Sequence, residues 1–177
     1  MRFNPIGVRL CGLVVVGAMC GVVAHGQKIP ETHAKTLAGN VANLPADLHG
    51  KLGVLVLGFS KKSSDECHGW DDQISRDFGG SARIVYYEMP VLEDVPGMIR
   101  GMVVRGIRNG LTPAARARFL PVLQDEAAWK AAAQFGPADD AYVLIVDETG
   151  AVKWRTHGPV TTASYAAFKS NLMAIEK

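Results

Sequence analysis

The chain has 177 residues, of which 48% are hydrophobic and 20% are charged, and its formal net charge is +2 at pH 7. This composition excludes an intrinsically disordered chain, a collagen-like repeat and a protein with many membrane spans. The small net charge argues against a nucleic-acid-binding protein that relies on bulk positive charge, and the length fits one domain.

The first 26 residues have the three parts of a secretory signal peptide. Arg2 and Arg9 provide a basic start, residues 10–24 carry no charge, and Ala24-His25-Gly26 supplies small residues where cleavage is expected. The apolar run is too short to span the roughly 30 Å hydrocarbon core comfortably. We therefore expect export to the periplasm or the extracellular space. An uncleaved, membrane-anchored form is the alternative.

Cleavage would leave a neutral chain with one cysteine, Cys67. One cysteine cannot form an internal disulfide, so we expect the hydrophobic core alone to hold the fold. Residues 27–35 are polar and are predicted to be flexible. The folded domain is predicted to cover residues 36–177.

Strand and helix patterns alternate along this domain. Gly39-Asn40 indicates a hairpin, and the apolar run at residues 52–59 predicts a strand buried on both faces. The further predicted elements are a helix at 66–78, strands at 82–88, 141–147 and 151–156, and a last helix capped by Thr161 or Thr162. This order predicts an α/β domain with a central mixed sheet of about four to five strands flanked by helices.

A helical insertion is predicted at about residues 91–137. Five arginines and no acidic residue occur between Val95 and Gln124. At about 100° per residue, an apolar stripe and an arginine arc lie on opposite sides of the predicted helix. The stripe comprises Met98, Ile99, Met102, Val103, Ile107 and Leu111, and the arc comprises Arg100, Arg105 and Arg108.

This basic, amphipathic segment is the candidate partner-binding surface. We expect Met98, Arg100, Met102, Arg105 and Arg108 to contact either a protein partner or an anionic membrane surface. The alternative is an ordinary surface helix with a solvated, charged side. No nucleic-acid partner is expected, and no small-molecule substrate is identified.

Two loose motifs resemble those of redoxin-type thioredoxin-fold domains. The first is Leu37-Ala38-Gly39 followed by Leu44-Pro45-x-x-Leu48-x-Gly50-Lys51, and the second is Val146-Asp147-x-x-Gly150-x-Val152-x-Trp154. The order and spacing of the elements more closely resemble the thioredoxin-like assembly factor family of mitochondrial ATP synthase and its bacterial relatives. The points of similarity are Gly58-Phe59-Ser60, Trp70, the Arg-rich insertion, Lys153-Trp154-Arg155 and Gly158. The resemblance implies a single thioredoxin-like domain and, in the eukaryotic members, a chaperone-like role in membrane-complex assembly.

Dithiol chemistry within one chain is excluded by the sequence. Redox thioredoxins place Cys-x-x-Cys at a helix N-terminus, where the second thiol resolves the mixed disulfide. This chain has Cys67-His68-Gly69-Trp70 there, and Asp140-Ala141 stands where thioredoxins have a cis-proline. The expected function is therefore a non-redox binding or assembly module.

A one-cysteine, peroxiredoxin-like thiol peroxidase is the competing hypothesis. Ser64-x-x-Cys67 keeps a hydroxyl at the interval that such enzymes use, which makes Cys67 and Ser64 the candidate catalytic residues. The thiolate-holding arginine is missing, and Asp139 and Asp140 would raise the pKa of a nearby thiol.

Neither a metal nor a cofactor is predicted. Cys67 and His68 are adjacent, so on a helix they would point about 100° apart, and the other histidines have no ligand spacing. No phosphate-binding loop is present in the sequence.

Overall fold

The computed structural model describes residues 26–176, and the predicted signal segment at 1–25 lies outside the described residues. The strands are β1 (Thr32–Lys35), β2 (Val41–Leu44), β3 (Leu52–Gly58), β4 (Ile84–Pro90), β5 (Ala141–Val146) and β6 (Val152–His157). The helices are α1 (Ser64–Phe78), α2 (Gly97–Gly110), α3 (Pro113–Arg116), α4 (Glu126–Ala133) and α5 (Thr162–Ile175). None of these helices has the length and apolar character needed to cross a bilayer.

The central sheet is mixed and has the strand order β4-β3-β5-β6. β3 runs parallel to β4 and antiparallel to β5, and β5 pairs antiparallel with β6. Outside β4, the segment at 118–122 hydrogen-bonds along the exposed strand edge, with Leu120 donating to the Glu88 carbonyl at 2.8 Å. This segment covers an edge that would otherwise be open to pairing with another chain.

β3 is the central strand of the domain and is buried on both faces. Val54 and Val56 face a core shared with α1 and α5. Leu55 and Leu57 face a second core shared with the β1–β2 hairpin and α4. The alternation follows from the period of two in a strand. The predicted doubly buried strand, and with it the α/β architecture, is confirmed.

The expectation that residues 27–35 are flexible is wrong. Ile29 is buried, and its backbone N–H donates to the Gly150 carbonyl at 2.9 Å. Val152 donates to the Gln27 carbonyl at 2.7 Å, and β1 pairs in register with β2. The polar composition concealed a segment in which Gln27 and Ile29 have partners more than a hundred residues away and residues 32–35 pair with the neighbouring strand. The hairpin is confirmed, although its loop spans residues 36–40 and not the two residues expected.

The last helix begins where its sequence predicts. The side chain of Thr161 accepts from the Ser164 N–H at 3.0 Å, and the Ser164 hydroxyl accepts from the Thr161 N–H at 2.8 Å. This reciprocal pair is a capping box, which satisfies two N–H groups that the helix leaves without intrahelical partners. α5 then packs Phe168 against Trp70 of α1, with ring centroids 5.9 Å apart.

Trp70 links α1 to the loop after β6. Its indole is fully buried, and Nε1 donates to the Gly158 carbonyl at 2.9 Å. Gly158 has a φ of +93°, a conformation that side-chain-bearing residues rarely adopt. Trp70 is therefore a core residue.

We expect Trp70→Phe to lower the free energy of unfolding by about 2–4 kcal/mol, because it removes a buried hydrogen bond and leaves a cavity. Urea unfolding followed by circular dichroism measures the effect. Trp154→Phe is the matched control, since Trp154 is half-buried and packs at the edge of the same core. Equal losses in the two variants would contradict the role assigned to the Trp70 hydrogen bond.

Candidate functional site

The first turn of α1 packs against the end of β3, and a glycine makes this contact possible. A Cβ atom at Gly58 would lie 2.8 Å from the Ser63 hydroxyl oxygen and 3.0 Å from the Cys67 sulfur. Both distances are shorter than ordinary van der Waals contact. The absence of a side chain at Gly58 therefore lets Cys67 sit directly under the strand.

Cys67 is buried in the core beside the end of β3. The side chain is 2% exposed, and its sulfur lies 3.6 Å from the Leu57 carbonyl oxygen, to which the thiol donates. Burial, together with the negative charge of Glu88, raises the pKa of the Cys67 thiol to about 12. With this pKa, Cys67 is a protonated thiol at neutral pH. The thiolate is the nucleophile in cysteine chemistry, so the protonated form is not nucleophilic.

Ser64, the second candidate catalytic residue, does not lie beside the Cys67 sulfur. Ser64 is exposed at the start of α1, whereas the hydroxyl beside the sulfur belongs to the fully buried Ser63. Ser63 also donates to the Ser60 carbonyl at 2.9 Å, so it forms part of the turn that leads into the helix.

The acids that act on Cys67 differ from those expected. Asp139 instead accepts from Ser60 at 2.9 Å and from Lys62 at 3.3 Å. Asp140 pairs with His157 at 2.6 Å. The charges that raise the Cys67 pKa come from Glu88 and, to a smaller extent, Glu66. The expected direction was therefore correct, but its source was not.

A carboxylate–imidazole pair lies next to the thiol, with the carboxylate buried and the imidazole half exposed. Glu88, on β4, is buried, and its Oε1 is 3.0 Å from Nδ1 of His68 on α1. Burial raises the pKa of the Glu88 carboxyl, and the hydrogen bond to Glu88 raises the pKa of His68. Sequence reasoning missed this pair, although an acid in an otherwise apolar strand was a usable signal.

A cavity of about 210 Å³ opens in front of this pair. Cys67, His68 and Glu88 form one wall, and Gly106 and Ile107 of α2 lie opposite. Within residues 26–176, no three His, Cys, Asp or Glu side chains converge in a geometry that could hold a metal ion. The arrangement provides hydroxyls, a carboxylate and an imidazole for hydrogen bonding.

The predicted helix of the Arg-rich segment is present as α2. The side of α2 that packs against the protein differs from the predicted side. None of its residues is buried. The half-buried side contains Arg100, Val103, Val104 and Ile107. The predicted opposition of an apolar stripe and an arginine arc is therefore wrong.

Arg100 accounts for this orientation. Its guanidinium donates to the Glu93 carbonyl at 2.7 Å and to the Val95 carbonyl at 2.9 and 3.1 Å. It therefore fixes the turn before α2 and does not face solvent as predicted. At the other end of the helix, Arg116 donates to the Arg108 carbonyl at 2.9 Å.

The remaining four predicted partner-binding residues are exposed. Met98 is 98% exposed and Met102 is 72% exposed, and both lie on the side of α2 that carries Arg105. Arg108 is also exposed, one turn further on. Two methionines and two arginines therefore form one accessible surface.

The fold defined above is that of a single thioredoxin-like domain. No protein-family model matches the chain, and no curated protein matches it. Among solved structures, a thiol:disulfide interchange protein of the thioredoxin family from Chlorobium tepidum is similar. The two share 15% identity and a TM-score of 0.53, and the match covers 87% of this chain and 99% of the other.

Two further structures agree in fold. The exposed lipoprotein thioredoxin of Streptococcus pneumoniae has a TM-score of 0.56 at 11% identity, with 80% of this chain and 98% of that chain covered. BsSco, of the Sco family of cytochrome c oxidase assembly proteins, has a TM-score of 0.58 at 10% identity, with 85% and 94% covered. Likeness at this identity establishes the thioredoxin-like fold alone, and the resemblance to the ATP synthase assembly factor family stays a prediction.

We expect Glu88→Gln to lower the pKa of His68, because the hydrogen bond to the carboxylate is the largest cause of its elevation. The raised pKa of His68 means that its protonation stabilises the fold below about pH 6.5 as long as Glu88 stays ionised, and that this contribution is lost as the pH rises through the folded-state pKa of His68. NMR titration of the imidazole signals measures the shift, with the signals of His33 as an internal reference. An unchanged His68 titration would contradict the assigned pair.

Proposed function

We propose that this chain is an exported, non-redox binding module that assists the assembly of other proteins and contacts its partner through α2. The observation that carries the proposal is the state of Cys67, which is buried and has a pKa raised to about 12. No second cysteine occupies the position that would resolve a disulfide, where Trp70 lies in the core. Because these two features disfavour thiol chemistry, we infer that this domain functions by binding.

The exposure of α2 supports a binding role. Monomeric proteins rarely keep several large apolar side chains together in solvent unless another surface covers them. Met98, Ile99 and Met102 are all exposed on this helix, at 98%, 46% and 72%. Methionine adapts its shape to a partner because its side chain is unbranched and flexible.

The structural neighbours support parts of this proposal unequally. BsSco belongs to a family of cytochrome c oxidase assembly proteins, which agrees with an assembly role. The interchange protein from Chlorobium tepidum belongs to thiol–disulfide chemistry. The non-redox part of the proposal therefore depends on the residues of this chain.

Export is proposed from the signal-like pattern in residues 1–26. The similar pneumococcal protein is an exposed lipoprotein, which agrees with a location outside the cytoplasm. The resemblance to the ATP synthase assembly factor family suggests a membrane complex as the client.

Replacement of the chromosomal gene separates the binding role from the thiol role. We expect Cys67→Ser to keep the wild-type abundance of membrane complexes, measured on native gels, and Met98→Ser with Met102→Ser to lower it to the level of a deletion strain. Met173→Ser is the matched control, because Met173 is 55% exposed on α5. Loss of function in Cys67→Ser alone would overturn the proposal in favour of thiol chemistry.

The purified full chain tests the peroxidase alternative directly. We expect Cys67 to reduce hydrogen peroxide no faster than a free thiol and to react with alkylating agents mainly after unfolding, because burial favours its protonated form. The rate difference between the wild type and Cys67→Ser isolates this residue from Cys11 and Cys20. A fast, Cys67-dependent rate would establish the peroxidase with Cys67 and Ser64 as its candidate residues.

A further inference from the structure

A groove of about 440 Å³ separates α2 from the loop that follows β1. Lys35, Arg105 and Arg108 line it, and no acidic residue does. In the part of the chain that the structure describes, none of these three cations forms an ion pair. The groove therefore presents positive charge that an anionic ligand could neutralise.

Apolar side chains surround the groove. Four of the six large apolar side chains that are exposed in residues 26–176 lie on it or beside it; they are Val41, Met98, Met102 and Leu123, whereas Ile99 lies on the other side of α2. Leu123 lines the groove itself, and Val41 stands opposite Lys35 in the register of the hairpin. Cations and exposed apolar groups are thus concentrated on one side of the molecule.

We propose that this side, which we name the α2–hairpin face, docks on a membrane surface that contains anionic phospholipids. The inference rests on the proposed binding role of α2 and identifies what α2 binds. The face is defined by Lys35, Val41, Met98, Met102, Arg105, Arg108 and Leu123.

A lipid surface satisfies both parts of the face at once. Phosphate groups pair with arginine and lysine, while the boundary with the acyl chains receives the apolar side chains. A Cβ at Gly101, on the groove wall, would meet no atom within 4 Å, so the groove has open space for a headgroup.

The shape and composition of the face favour lipid over a protein partner. Binding hot spots between proteins are enriched in tryptophan and tyrosine packed in well-formed pockets. None of the exposed large apolar side chains on this face is aromatic. Met98 and Met102 instead protrude from the helix, as suits insertion into a surface that deforms around them.

Vesicle co-sedimentation of the full chain tests the proposal. We compare phosphatidylcholine vesicles with vesicles that also contain about 30% phosphatidylglycerol. Residues 10–24 are apolar and can bind either vesicle, so the measured quantity is the ratio of the two affinities. We expect a preference for anionic vesicles that about 0.5 M salt removes.

Charge reversal locates the preference. Arg105→Glu with Arg108→Glu should reduce it by at least roughly 25-fold, because the loss of each cation alone accounts for about fivefold and the new carboxylates add repulsion. Lys51→Glu with Lys61→Glu is the matched control, because it changes the net charge equally at two exposed cations away from the face. An equal loss in both double variants would overturn the proposal, since it would indicate bulk charge and not this face.

The apolar half of the face is tested by hydrogen exchange. We expect anionic vesicles to slow the exchange of the α2 amides at 97–110 severalfold in the wild type, and Met98→Ser with Met102→Ser to remove this protection while Met173→Ser keeps it. Protection of other helices without α2 would contradict the proposed orientation.

Two further outcomes separate this inference from its alternatives. If millimolar inorganic phosphate abolishes the anionic preference at constant ionic strength, the groove is a site for soluble anions and the lipid inference is wrong. If the Arg105 and Arg108 variant keeps its vesicle preference but fails to support complex assembly in cells, α2 binds a protein. The lipid inference then fails while the proposed function stands.

Discussion

The approach of α1 to β3 at Gly58 determines the chemistry of the whole site. It places the Cys67 sulfur in the space that a Cβ at Gly58 would crowd. A helix N-terminus favours a thiolate, but its effect is at most about 2 kcal/mol, or roughly 1.5 pKa units. Burial and Glu88 raise the thiol pKa from 9.0 to about 12, so desolvation and like charge exceed the helix effect. The thiol at this helix N-terminus is therefore held in its protonated form at neutral pH.

Three of the five arginines between Val95 and Gln124 make contacts within the fold. Arg118, on the segment that covers β4, stacks over the Tyr86 ring with its guanidinium carbon 5.0 Å from the centroid. Arg100 and Arg116 bind backbone carbonyls at the two ends of α2. A hydrogen bond from a charged donor contributes about 1.5–3 kcal/mol, so these contacts replace the core packing that α2 lacks. Arg105 and Arg108 are left as the exposed arginines of the α2–hairpin face.

The sequence predicted those features that local patterns control. The doubly buried β3, the hairpin at β5 and β6 and the Thr161 cap follow from apolar runs, turn residues and side-chain capping, all of which act over a few residues. The order of residues 27–29 could not be predicted, because the partners of Gln27 and Ile29 are Val152 and Gly150, more than a hundred residues away. The helical projection of α2 failed for another reason. At about 100° per residue, Arg100 lies on the same arc as Val103 and Ile107, the side that is half-buried, so the error was to group it with Arg105 and Arg108.

α2 lies between a cavity that contains the Glu88 carboxyl and a groove lined by three cations, and its glycines leave space in both. Gly106 and Gly110 line the cavity that contains Glu88, while Gly101 lines the groove with the three cations. A glycine inside a helix costs about 1 kcal/mol relative to alanine, so Gly101 and Gly106 together weaken α2 by about 2 kcal/mol. A helix without buried residues and with this intrinsic cost is marginal on its own. Any surface that binds the folded α2 in preference to its unfolded form must then stabilise it by mass action, which couples the order of the helix to the occupancy of the face.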